Sequence, residues 1–356
     1  MSFDWKTLPE LRHAAFDEAG ASVGDSPLHL GALSEELVSA RDGKTLVVPL
    51  ADRAWIRCIG AEAQSFLHNQ LTSDINHLVS GAWQHSSWCT AKGRMLASFI
   101  VAKPGEPSPV SGEDCYKLQV AGELLPAIAK RLKMYVLRVK VRVEIADNLV
   151  SIGLAVSPDN ARRVLAAAAL PHPGGIGSCA TFPGGWVAQI SDHLLQIAVS
   201  ADLAAATFAA LAKEARPAGL AAWHWLEIQA GLPMVRQATQ EEFVPQMVNF
   251  DKNGGVSFHK GCYPGQEIVA RTQYLGKVKR HLYRVHSDSP LASGMQLNIT
   301  DAEGAYSAAG VIANAAASPN GGYDALAVIL ESAITSPVHT DRADGPVLSS
   351  IALVAA

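Results

Sequence analysis

Between residues 139 and 145 every second side chain is aliphatic. Val139, Val141, Val143 and Ile145 alternate with Lys140, Arg142 and Glu144. A period of two is the signature of a strand with one buried and one wet face, which is typical of antiparallel sheets. Similar short runs surround it. Residues 45–59 predict two strands about a turn at Asp52, and 83–102 predict a hairpin turning near Lys92 and Gly93. Strands are also expected at 115–121, 148–156 and 194–200. Helical spacing follows Gly60 (Ala63, Phe66, Leu67, Leu71) and recurs near 123–135 and 201–215. At 157–170, Ser157 stands at an N-cap position with Pro158 behind it. Strands alternating with helices amid short hairpins predict an α+β chain rather than a doubly wound sheet. From about 276 onward, short apolar runs broken by turn residues predict an all-β barrel or sandwich.

With 356 residues the chain exceeds the usual reach of one core, so more than one domain is expected. Hydrophobic residues make up 49% and charged residues 17%, a globular balance. The net charge of −4 implies no global attraction to nucleic acid or membrane. The N-terminal stretch lacks the apolar centre of a signal peptide, and no apolar run approaches a membrane span. Cys58, Cys89, Cys115, Cys179 and Cys262 are widely spaced with no CxxC pair, which speaks against a disulfide framework or a self-contained metal site. A reducing, cytoplasmic setting is expected.

The densest chemistry lies at SFHKGCYPGQEIVAR, residues 257–271. Gly261 and Gly265 flank Cys-Tyr-Pro and permit a tight turn; Pro264 suits the start of a helix, and GQEIVAR behind it has helix-forming content with Glu267 in its first turn. Cys262 thus precedes a helix N-terminus, close in sequence to Lys260, and both features favour a thiolate. The competing interpretation is a small apolar residue in a turn, since free cysteines are commonly buried. His259 forms no recognisable nucleophile pair with it.

KGCYPGQE resembles the K-G-C-[FY]-x-G-Q-[ED] signature of the YgfZ group of folate-binding proteins, relatives of the glycine-cleavage aminomethyltransferase. Further segments resemble that family in matching order: IGAEAQSFLHNQLTSDI, TAKGRMLASFIV, AGLPMV and FVPQMVNFD. The likeness spans about 45–145 and 217–285. It implies an aminomethyltransferase-like folate-binding fold, with antiparallel sheets flanked by helices and a C-terminal all-β barrel. The domains expected are 1–145, 146–216, a motif segment at 217–275 completing the folate site, and 276–356.

The resemblance implies tetrahydrofolate or another folate as cofactor, bound through Trp223, Gln229 and Arg53. Trp223 matches an aromatic that packs on folate in the family, although a tryptophan on a helix is commonly a core residue. Gln229 stands where relatives often have glutamate, and it keeps one acceptor while gaining donors. Arg53 stands where relatives use an aromatic; it suits stacking on a flat ring or pairing with a carboxylate tail, and equally a solvated strand edge. The functional motif residues are Cys262, Lys260, Gln266 and Glu267, with no metal site of the chain's own.

Aminomethyltransferases carry an aspartate pair where this chain has Ala97 and Ser98, neither a general acid or base near neutral pH. Aminomethyl transfer is therefore not expected. The family's association is with assembly or repair of iron–sulfur proteins, and through them with tRNA modification. Folate and iron–sulfur proteins or their assembly factors are thus the partners implied. A tetrahydrofolate-dependent one-carbon transferase or demethylase is the alternative, and a direct tRNA-binding module ranks behind both. Lys92, Arg94 and the KVKR run at 277–280 form local basic patches without an RNA-binding motif.

Overall fold

The computed structural model describes residues 3–11, 14–16, 27–105, 113–300, 306–342 and 344–355. The sequence KPGEPSPVSGED (103–114), rich in Pro and Gly, predicts a linker, and its central part lies outside the described residues. The described chain divides into two compact units. One comprises segments within 1–68, 74–84 and 99–223; the other comprises 69–73, 85–98 and segments within 224–356.

In the first unit, a six-stranded sheet runs in the order Cys179–Phe182, Gly185–Gln189, Leu194–Ser200, Leu149–Ala155, Leu46–Pro49, Arg216–Pro217. Its pairings are antiparallel except the last, where Arg216 aligns with Leu46. Helices Pro158–Ala167 and Ala201–Leu211 cover it through Val164, Leu165, Phe208 and Leu211, which join Ile152 and Ile197 in one apolar cluster. Ser157 is the N-cap by backbone geometry, with Pro158 at the helix start.

A five-stranded sheet has the order Ala82–Cys89, Met95–Lys103, Asp114–Ala121, Arg53–Gly60, Arg142–Ile145. The alternating stretch forms a strand only over Arg142–Ile145, at the edge of this sheet. Its ladder with Arg53–Gly60 runs from Ile56↔Ile145 to Ile59↔Arg142 and then stops. The cause is local. Gly60 has φ +149, and a Cβ there would collide with the Lys140 carbonyl oxygen. The Lys140 amide donates to Glu62 Oε2 at 2.7 Å instead of extending the ladder. Val141 and Val143 are buried as the pattern predicts, whereas Ile145 is exposed.

In the second unit, an all-β region holds six antiparallel strands in the order His339–Thr340, Gln296–Thr300, Tyr306–Ala317, Tyr323–Leu330, Arg280–Ser287, Ser350–Leu353. Leu297, Ile312, Ala327 and Ile329 lie in its core. The fold is therefore α+β with antiparallel sheets, helices against them and an all-β C-terminal part.

Candidate functional site

The KGCYPGQE turn belongs to the second unit, where two earlier segments hold it. Ser257 N donates to Thr72 O at 2.9 Å. Thr72 Oγ1 donates to Gly255 O at 2.6 Å and lies 3.0 Å from Ser87 Oγ. Lys260 Nζ donates to the carbonyl oxygens of Leu71 (2.6 Å) and Ser73 (3.0 Å) and sits 5.1 Å from the centre of the Tyr263 ring. Burying an ammonium is costly unless such acceptors and a ring face compensate. Lys260 thus pins the turn to residues 71–73; it is buried while Cys262 is exposed.

The helix after the turn is Gln266–Tyr274. Gly265 precedes it with φ +84, a left-handed conformation natural to glycine. A Cβ at Gly265 would collide with Thr90 O and come within 2.7 Å of Gly93 Cα. The tip of the TAKGR hairpin and the GQE helix start are therefore in backbone contact. Pro264 lies before this cap rather than in the first helical turn. Gln246, from FVPQ, donates through Nε2 to Val269 O at 2.7 Å. Ser98 Oγ accepts from Val235 N at 2.9 Å, joining AGLPMV to the hairpin. The ordered motifs thus meet around one turn. Thr72 and Gln246 are structural holders that were not singled out from sequence, though both stand inside quoted motifs.

Gln266 Nε2 reaches the Lys260 carbonyl at 3.4 Å, a long contact, and Glu267 is exposed on the first helical turn. Among the five cysteines, Cys262 alone is classed as exposed. Burial pushes the Cys58 thiol far up and those of Cys89 and Cys179 up to about 12. Those three remain thiols at neutral pH, which leaves Cys262 the most accessible sulfur.

Gln229 lies in the same unit, at the end of helix Leu220–Gln229, but its Oε1 is taken by Arg284 Nη1 at 2.7 Å. One turn earlier, Trp225 Nε1 donates to Asp324 Oδ2 at 2.7 Å, and His286 Nδ1 lies 2.7 Å from Asp324 Oδ1. This stretch of helix therefore anchors the C-terminal sheet.

Trp223 and Arg53 belong to the first unit. Trp223 has no exposed surface, and a Cβ at Gly153 would come within 2.5 Å of its ring. Its indole Nε1 has no hydrogen-bond partner among the described residues. It occupies the core position open to any helical tryptophan, and a ligand would reach it only if its covering residues moved. Arg53 is buried, its Nε 3.6 Å from Asp52 Oδ1, so it is not a solvated edge charge. It lines a cavity of about 270 Å³ with Trp5, Trp55, Leu125 and Ser151. Ser151 Oγ there accepts from Trp55 Nε1 at 2.8 Å and Gln119 Nε2 at 3.0 Å. Trp223 does not line this cavity.

Among the described residues, no group of three or more His, Cys, Asp or Glu is placed to hold a metal ion. No helix of the described residues is long and apolar enough to cross a membrane.

No family model matches the chain. It is 31% identical to a tRNA-modifying protein YgfZ from Klebsiella pneumoniae (strain 342), over 69% of this chain and 72% of that one. It is 29% identical to the protein of the same name from Colwellia psychrerythraea (strain 34H / ATCC BAA-681), over 68% and 72%. Among solved structures it is similar to the glycine cleavage system aminomethyltransferase T from Bartonella henselae, with a TM-score of 0.76, 19% identity and coverage of 96% and 93%. That likeness is one of fold.

Proposed function

The chain belongs to the YgfZ family, and from that premise we propose that it is a folate-binding accessory protein supporting the assembly or repair of iron–sulfur proteins, and through them tRNA modification. The observation that carries this reading is the exposed Cys262 on a turn held by Lys260, Thr72 and the Gly265–Gly93 contact. A turn pinned so heavily presents its thiol in one place. One cysteine cannot hold a cluster that needs four protein ligands, so its chemistry requires a partner that brings the rest.

Folate is supported by the fold and by the cavity beside Arg53. A pterin needs an apolar or aromatic wall and a few polar groups along its edge. Trp5, Trp55, Arg53 and Ser151 offer that mixture. About 270 Å³ suits the ring better than the whole cofactor, so in this reading the carboxylate tail extends from the mouth. Folate would supply one-carbon chemistry when bound, but this chain brings no acid to it at the hairpin. Ala97 is fully buried, and Ser98 already accepts from Val235. That counts against the alternative of a tetrahydrofolate-dependent transferase or demethylase.

The test has two arms. Cys262→Ser, expressed in a strain lacking the protein, is expected to leave iron–sulfur enzyme activities as low as in the deletion strain; parental activity refutes the role of the thiol. Separately, calorimetry with tetrahydrofolate is expected to show saturable heat that Arg53→Ala weakens at least tenfold. No heat at high protein concentration refutes the cofactor.

A further inference from the structure

The alternating stretch and the helix before it place an unusual density of charge on one surface of the first unit. Lys130, Arg131, Lys133, Arg138, Lys140 and Arg142 are six of the chain's 29 lysines and arginines, with no acid between them. The helix is Leu125–Met134; Leu125, Ile128, Ala129 and Leu132 face inward, which turns Lys130, Arg131, Lys133 and Met134 outward. Beyond it, Val141 and Val143 are buried while Lys140 and Arg142 are exposed, as is Arg138.

Arg142 is neutralised by Glu113 at 3.0 Å and Glu144 at 3.8 Å. Lys130, Lys133, Arg138 and Lys140 have no acidic side-chain partner among the described residues. Between them stand Met134, Tyr135 and Leu137, exposed by 68%, 44% and 86%.

We infer that this ridge, Lys130 to Arg142, binds the phosphate backbone of RNA. Exposed cations without an acidic partner meet phosphates and release their counterions, which drives binding whatever the protein's net charge. Tyr135, 44% exposed, adds an aromatic side chain to the segment, the residue type on which unpaired bases stack. A bilayer fits less well, because the ten-residue helix spends its apolar face on the protein core and keeps only scattered apolar side chains to insert. The inference is independent of Cys262 and of folate.

A fluorescein-labelled single-stranded RNA 20-mer, titrated with the full chain at 50 mM KCl, gives a saturable anisotropy rise. The triple variant Lys130→Glu, Lys133→Glu, Arg138→Glu weakens it tenfold or more. It also lowers the slope of log Kd against log salt by about 2, at roughly 0.7 per lost phosphate contact. All three side chains are exposed, so an unchanged melting temperature verifies the fold. A control triple with the same charge change at Lys44, Lys213 and Lys252, also exposed, keeps at least half the affinity. Three results overturn the proposal: no RNA binding by the parent; equal weakening by the control; or binding only to phosphatidylglycerol vesicles or poly-glutamate, which makes the ridge a lipid or acidic-protein site.

Discussion

Gly265 shows how a single position can decide whether the motif forms. Its φ of +84 disfavours any side chain, and the space a Cβ would need holds Thr90 O and the Gly93 backbone. Neither neighbour can rotate away as a flexible side chain would. Gly265→Ala is expected to cost at least about 2 kcal/mol, left-handed strain adding to the clash. Urea unfolding would show this as a lower midpoint with an unchanged slope, and a midpoint equal to the parent's would contradict the packing. Lys260 makes a similar point for charge. Its place in sequence suggested an influence on the thiol, whereas its ammonium hydrogen-bonds to the Leu71 and Ser73 carbonyls.

At the scale of elements, helix Leu220–Gln229 does more for the C-terminal sheet than a reading of its ligand-binding residues implies. Asp324, on strand Tyr323–Leu330, joins Trp225 of the helix to His286 of strand Arg280–Ser287. Removing the carboxylate leaves an indole N–H and an imidazole without their acceptor in a mostly buried place. Asp324→Ala is therefore expected to lose about 1–3 kcal/mol, and Asp324→Asn less because one acceptor remains. Equilibrium denaturation followed by Trp fluorescence separates the two. Equal loss from both variants would mean that the charge, rather than the hydrogen bonds, matters.

For the whole molecule the pH dependence has a definite sign. Burial pulls the His85 pKa down to about 4, against 6.5 for a free imidazole. Its ring centre stands 5.7 Å from that of Phe250. Between those values the unfolded chain takes up a proton that the folded chain refuses, so stability falls as pH drops from about 6.5 towards 4. The ceiling is about 1.4 kcal/mol per pH unit. Because the side chain keeps some solvent contact, a total of about 1–2 kcal/mol is expected. His85→Gln removes that part of the slope, read by comparing urea midpoints at pH 7 and pH 5 in both proteins. An identical slope would show that other groups set it.

Local pattern alone was enough for much of the architecture. Period-two runs marked the strands, Ser157-Pro158 the start of a helix, and Lys92-Gly93 the hairpin turn, because each is settled by the preferences of neighbouring residues. The ordered motifs identified the family. Tertiary structure decided what those motifs are for. Thr72, Gln246, Gly93 and Gly265 converge on one turn from segments far apart in the chain, and that cannot be read from spacing. It also ended the clearest predicted strand early, where Gly60 admits the Lys140 carbonyl and Glu62 takes its amide. Trp223 was turned into the core and Arg53 into a cavity wall, since burial depends on what packs over a residue. The same holds for the cations of 130–142. Their sequence was always in view, but only the fold shows which lack an acidic partner.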